Sequence, residues 1–292
     1  MTSPGYNLRV RCRAFAIPLL ILGAVGAGCG HRAPPRQASR LGPPDSIIPE
    51  GPLGAAIRRG RALLVATRDS LPGHVGNGLR CASCHLEEGR RPTGSLVGVY
   101  SRYPAYRPRS GIVETIEFRV NDCFRRSMNG TALDAASDDM RDIVAYVAFL
   151  SWGTASAAPQ ANTRLQKWAA LTPDTAGGAV VYGSTCAKCH GPEGQGTPVA
   201  PPLWGDRSYN VGAGMARVRT AADFIRNNMP LDQPGALTDQ QAMDVAAYVN
   251  AHPRPDYRGK ELDWPNGDPP PDVAYATTAA QRKAHSAPGR SP

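Results

Sequence analysis

Cys81-Ala82-Ser83-Cys84-His85 decides the reading of this chain, and Cys186-Ala187-Lys188-Cys189-His190 repeats it. Two cysteines three apart, followed at once by histidine, form the pattern for covalent attachment of a c-type haem. Each thiol adds across one porphyrin vinyl group, and the short loop between them brings the histidine under the iron as its proximal ligand. One copy also fits a redox pair or half of a zinc site. Two copies in an exported chain point to two covalently bound haem c groups, one on Cys81, Cys84 and His85 and one on Cys186, Cys189 and His190.

At 292 residues the chain has room for about two domains. Aromatic residues are 7%, low for two self-sufficient cores, but a haem supplies an apolar disc to pack around. The 31 glycines and 28 prolines predict long loops between short helices. Of seven cysteines, four sit in the haem motifs and Cys12 and Cys29 near the N-terminus, which leaves Cys123 without a disulfide partner.

Residues 1–29 read as an export signal: Arg9, Arg11 and Arg13, then an apolar stretch Ala14–Gly28 too short to span a bilayer. Small residues before Cys29 fit a lipidated cysteine and a membrane anchor; ordinary cleavage nearby, with Cys29 incidental, is the alternative. Both imply a periplasmic destination. The net charge of +9 includes three leader arginines, so the mature surface is mildly basic and favours anionic substrates or acidic partners. No arginine–aromatic interleaving points to nucleic acid.

Residues 30–50 are Pro-rich and read as a linker. The N-terminal domain, 51–152, is expected to start with a helix over Gly54–Ser70 and end with one over Asp138–Leu150 capped by Ser137. Residues 153–172 are a linker. The C-terminal domain, 173–255, repeats the plan, with a helix over Asp174–Ser184 and another over Asp239–Ala251 behind a Thr238/Gln241 capping box. Residues 256–292 read as an extended tail.

The halves superpose in register. Leu96-Val97-Gly98 matches Leu203-Trp204-Gly205, and Ala145-Tyr146-Val147 matches Ala247-Tyr248-Val249. Cys123 lies 38 residues after His85, and Met229 lies 39 after His190. This internal duplication resembles two tandem class I cytochrome c-like domains, an all-α fold with long Gly/Pro-rich loops. Met229, before Pro230, is the expected distal ligand of the second haem, with Met215 as competitor and Met243 as core. A thioether raises the potential and suits electron transfer. In the first domain the matching position is Cys123. Met128, or His74 in a bis-histidine site, is the alternative if Cys123 is only buried packing. A thiolate at iron favours the ferric state and places a nucleophilic sulfur at the metal.

Arg119-Val120-Asn121-Asp122-Cys123-Phe124-Arg125-Arg126-Ser127-Met128-Asn129-Gly130, with Gly76-Asn77-Gly78-Leu79-Arg80, resembles the thiosulfate dehydrogenase family of dihaem cytochromes c over about residues 50–255. The resemblance implies joining of two thiosulfates into tetrathionate, or the reverse, at a His/Cys-ligated haem. A second haem would pass the electrons to a soluble cytochrome c or another high-potential acceptor. It also implies Cys123 as distal ligand and catalytic sulfur, with Ser127 in the active site. Certain members carry a lysine that exchanges with the distal methionine; Asn228 stands there here, so plain His190/Met229 ligation is expected.

Thiosulfate is a dianion, and cationic donors must bring two together. Arg90, Arg91, Arg102, Arg107, Arg109, Arg119, Arg125 and Arg126 lie in the right segment, and Arg109 and Arg119 are the leading candidates. The competing readings are a non-catalytic dihaem electron carrier and a dihaem peroxidase. The peroxidase lacks identifiable acid–base groups.

Overall fold

The computed structural model describes residues 40–154 and 163–285. The expected leader with Cys29, the first part of the 30–50 segment, the middle of the 153–172 linker and residues 286–292 lie outside them. Two helical modules follow one another, as the all-α, tandem cytochrome c-like plan requires. Each is built on an opening helix crossed by a terminal helix: Gly51–Val65 under Asp138–Phe149, and Thr175–Val181 under Asp239–Ala251. No helix among the described residues is long and apolar enough to cross a membrane.

The terminal helices start where their caps dictate. Ser137 Oγ accepts from the Met140 amide at 3.2 Å. Thr238 and Gln241 satisfy each other's backbone N–H at 3.1 and 2.9 Å, which quiets two otherwise unpaired amides. The opening helices are shorter than expected. The first stops at Val65 and resumes as one turn over Thr67–Ser70; the second gives way at Tyr182 to a π-turn, Tyr182–Cys186, that delivers the first thiol of its haem motif.

The crossings are close because each opening helix brings a glycine to the contact. A Cβ on Gly60 would fall 1.9 Å from Asp142 O and 2.9 Å from Tyr146 Cβ. On Gly178 it would fall 2.2 Å from Asp244 O and 2.8 Å from Tyr248 Cβ. Gly98 and Gly205, matched in the sequence repeat, share a φ of +73°. The duplication therefore extends to packing contacts and backbone conformation.

Three segments differ from the sequence reading. Residues 40–50, expected as linker, are pinned on the first module: buried Arg90 donates to Pro43 O at 2.5 Å and to Asp45 at 2.7 Å. In the 153–172 linker, Trp168 is fully buried in the core of the second module with Ala222 and Met243. The expected extended tail is packed as well, with Asp263, Trp264 and Thr277 buried and a helix over Thr278–His285. A two-stranded hairpin, β1 (Ala105–Arg107) against β2 (Ile112–Glu114), is a further addition to the all-helical plan.

The modules share a core. Tyr209, Ala213 and Ala216 from the second pack with Leu79, Phe124, Met128 and Met140 of the first. Asn77 Nδ2 in the first donates to Ser208 O in the second at 2.9 Å.

Gly178→Ala is expected to destabilise the protein by about 1–3 kcal/mol through overpacking. That exceeds the roughly 1 kcal/mol alanine gains over glycine in a helix. Denaturant unfolding of the holoprotein gives the sign, and a stabilised variant would contradict the close-crossing explanation.

Candidate haem-linked active site

A cavity of about 590 Å³ lies beside the first C-x-x-C-H motif, within the ~300–1,000 Å³ range of cofactor sites. Cys81, Cys84 and His85 line it together with Cys123, Ser127 and Met128. Leu64, Leu79, Leu96, Val120, Ile143 and Val147 supply apolar lining. This donor set fits a covalently attached haem: two thiols for attachment, an imidazole and a further sulfur as possible iron ligands. His85 Nδ1–H donates to Gly94 O at 2.7 Å, which fixes the ring and leaves Nε2 as the ligating nitrogen.

Cys123 opens a π-turn, Cys123–Ser127, at the end of the helix Ile116–Asp122. The helix begins at Thr115, whose hydroxyl accepts from the Phe118 amide at 3.3 Å. A π-turn spoils the regular i→i−4 ladder, so its carbonyls need other donors. Two buried asparagines supply them. Asn77 Nδ2 donates to Ser127 O at 2.9 Å, and Asn210 Nδ2 donates to Arg125 O at 2.9 Å and to Asn129 Oδ1 at 3.1 Å. The Asn210 amide also donates to Arg126 O at 3.2 Å. Neither asparagine stood out in the sequence as a site residue; Asn77 could have, lying between two glycines four residues before the haem motif, whereas Asn210 carries no local signal.

Arg119, one turn before Cys123, donates from Nη1 to Cys123 Sγ at 3.2 Å. Burial pushes the Cys123 thiol up, but the Arg119 charge, with His85 nearby, outweighs it and holds the thiol below its ordinary value. Cys81 and Cys84 in the same cavity have no such cation, and burial pushes them up to about 11 and about 12. One cavity thus holds two neutral thiols suited to addition and one sulfur biased toward thiolate.

The eight candidate arginines separate clearly. Arg102, Arg107 and Arg119 line the cavity. Arg90 and Arg91 are buried in structural ion pairs. Arg125 lies over the Phe118 ring, and Arg126 is paired with Asp122 and Asp263. Arg109, a leading candidate in the sequence, donates to Gly212 O at 2.9 Å and covers the Trp264 ring, outside the cavity lining. β1 brings Tyr106 and Arg107 to the cavity lining, whereas Arg109, two residues on, lies at Gly212 and Trp264.

Of the alternative ligands, His74 bonds Thr131 O at 3.3 Å and does not line the cavity. Met128 reaches the cavity wall but is 2% exposed, packed with Phe124, Leu133 and Met140. Met215 lines the first cavity and packs against both the shared core and the core of the second module.

In the second module His190 Nδ1–H donates to Pro201 O at 2.8 Å, repeating the arrangement at His85. Burial pushes the His190 imidazole below its ordinary value, which favours the neutral ligating form. Tyr182, Trp204, Val245 and Val249 build an apolar core beside Cys186. Met229 ends the helix Val218–Asn228, its amide donating to Ile225 O at 2.8 Å. Asn228 is fully buried and reaches Thr93 O at 3.4 Å.

Residues 74–155 match the family model described as SoxA/TsdA, cytochrome c domain. Residues 173–249 match cytochrome C oxidase, cbb3-type, subunit III. The chain is 43% identical over 239 residues to a thiosulfate dehydrogenase of Psychrobacter arcticus, covering 79% of this chain and 73% of that protein. It is 42% identical over 247 residues to one of Allochromatium vinosum, covering 80% and 90%. Among solved structures, the thiosulfate dehydrogenase TsdBA of Marichromatium purpuratum aligns with a TM-score of 0.66 at 35% identity, over 85% of this chain. This chain spans 54% of that longer one.

Met128→Leu, a near-isosteric core change costing under about 1.5 kcal/mol, is expected to leave the spectrum of the first haem unchanged. A shifted spectrum in the oxidised variant would make Met128 the ligand in place of Cys123.

Proposed function

This chain belongs to the thiosulfate dehydrogenase family of dihaem cytochromes c, oxidoreductases with two covalently bound haem c groups, and we propose that it joins two thiosulfates into tetrathionate (2 S2O3²⁻ → S4O6²⁻ + 2 e⁻) at the first haem site. The observation that carries this reading is the Arg119–Cys123 contact at 3.2 Å in the cavity lined by Cys81, Cys84 and His85.

Cys81, Cys84 and His85 would hold the haem, with Cys123 as the further ligand, and the bound group would supply a one-electron redox centre. The protein's own residues do the rest. Arg102 and Arg107, both exposed, and the partly buried Arg119 give the cavity lining three guanidinium groups. They draw in a dianion and offset the repulsion between two of them. Arg119, 3.2 Å from the sulfur, favours the thiolate form of Cys123 and so the nucleophilic, polarisable state of that sulfur. The apolar lining limits water there and strengthens each charge contact. Ser127 places a hydroxyl in the same lining. In the second module His190 and Met229 would hold the relay group that sends electrons on to a soluble cytochrome c or other high-potential acceptor. The reverse reaction uses the same groups. Export to the periplasm by residues 1–29, with a lipid anchor at Cys29, belongs to this reading.

Cys123→Ala should keep both haems, because both attachment motifs are intact, and lose thiosulfate-dependent ferricyanide reduction by on the order of 100-fold or more. Retained activity in the fully loaded variant would reduce the protein to an electron carrier. Arg107→Ala should raise KM for thiosulfate roughly fivefold, with a smaller effect at high salt because the rim is exposed. An unchanged KM at low ionic strength would remove Arg107 from the substrate path.

A further inference from the structure

The C-terminal segment adds bonds around the active site that neither module requires for its own fold. Arg126, three residues after Cys123, donates from Nη1 and Nη2 to both carboxylate oxygens of Asp263, at 2.7 and 2.9 Å. Its Nε donates to Asp122, the residue before Cys123, at 2.6 Å. Its guanidinium lies 4.2 Å from the Tyr257 ring centre. The Tyr275 hydroxyl donates to Asp263 at 2.5 Å. The Arg126 and Asp263 side chains are 10% and 7% exposed, so this is a desolvated bidentate pair with defined geometry.

The same segment also holds the β1–β2 hairpin. The Trp264 amide donates to Arg109 O at 2.8 Å, and the Trp264 ring stacks under the Arg109 guanidinium. Asn266 Nδ2 donates to the Tyr106 hydroxyl at 2.9 Å, beside rim residue Arg107. Trp264 is 4% exposed with φ +52°, a conformation rare for a bulky residue and held only where the surroundings fix it.

We infer that residues 257–275 form a positioning clasp for Cys123, with Asp263, through Arg126, as its central link. The inference rests on the reading that Cys123 is the distal ligand of the first haem. Cys123 lies between Asp122 and Arg126, the two ends of one ion pair. Anchoring Arg126 from outside therefore fixes how the turn presents its sulfur. Charge sorting adds to this. Asp122 also lies 3.9 Å from Arg119. With Asp122 held by Arg126, the Arg119 guanidinium is left for Cys123. If the clasp is cut, Arg126 loses two acceptors and must reorient, Asp122 becomes a competitor for Arg119, and the sulfur is less firmly placed.

The test uses full-length holoprotein carrying Asp263→Asn or the milder Tyr275→Phe. In Asp263→Asn the thiolate-ligated ferric EPR signal of the first haem should split or be replaced, while the signature of the second haem stays in place. Reaction of Cys123 with iodoacetamide, followed by mass spectrometry, should accelerate roughly tenfold or more. Tyr275→Phe should move both readouts in the same direction by less. If Asp263→Asn fails to load haem, Tyr275→Phe decides. A wild-type thiolate signal that persists unaltered in the loaded variants, with unchanged alkylation, overturns the clasp and leaves the ligation reading intact. A wild type without any thiolate signal overturns the ligation reading instead; alkylation then reports whether the clasp still holds Cys123.

Discussion

A π-turn at the end of a helix exposes main-chain carbonyls that no helical amide can reach. The first haem site depends on satisfying them. Asn77 reaches Ser127 O from just ahead of the haem motif, and Asn210 reaches Arg125 O from the second module. A buried carbonyl left without a donor costs about 1–3 kcal/mol, so the second module, through Asn210, adds to the stability of the turn that presents Cys123. This accounts for the core that spans both modules, where Tyr209, Ala213 and Ala216 join Phe124 and Met128. The second module thus has two parts to play: it holds its own haem motif and it completes the wall of the first site.

Under the proposed ligation the modules diverge, on this shared frame, at one coordination position. Both fix the proximal histidine through Nδ1 to a backbone carbonyl, and both cross their helices at a glycine against an Asp/Tyr pair. The second then offers the thioether of Met229. The first offers Cys123 with a guanidinium 3.2 Å away. Equal scaffolds with unlike sulfurs separate a site suited to chemistry from one suited to relay, because the axial sulfur and its local charge set which oxidation state is favoured.

The repeated motifs, the capping boxes and the register between Cys123 and Met229 are local patterns, and sequence alone shows them together with the fold class. Long-range partners are another matter. Arg107 and Arg109 are two residues apart with the same chemistry, yet a short strand sends one to the cavity rim and the other to Trp264. Asn210 acts across 85 residues on Arg125, and Asp263 acts across 137 on Arg126. Neither pairing leaves a periodic trace. The Pro-rich composition of 256–292 suggested an unattached tail, because composition does not register a few strong anchors such as Asp263 and Trp264. Likewise Gly60 and Gly178 are unremarkable in sequence until the crossing helix is in place.

Near-infrared magnetic circular dichroism of the fully oxidised wild-type protein tests the assignment of Cys123 most directly, since ferric low-spin haems report their axial ligand pair there. Two distinct charge-transfer bands are expected, one from histidine/thiolate ligation and one from histidine/methionine ligation. Two bands of the histidine/methionine type, or a bis-histidine band in place of the thiolate one, would contradict it.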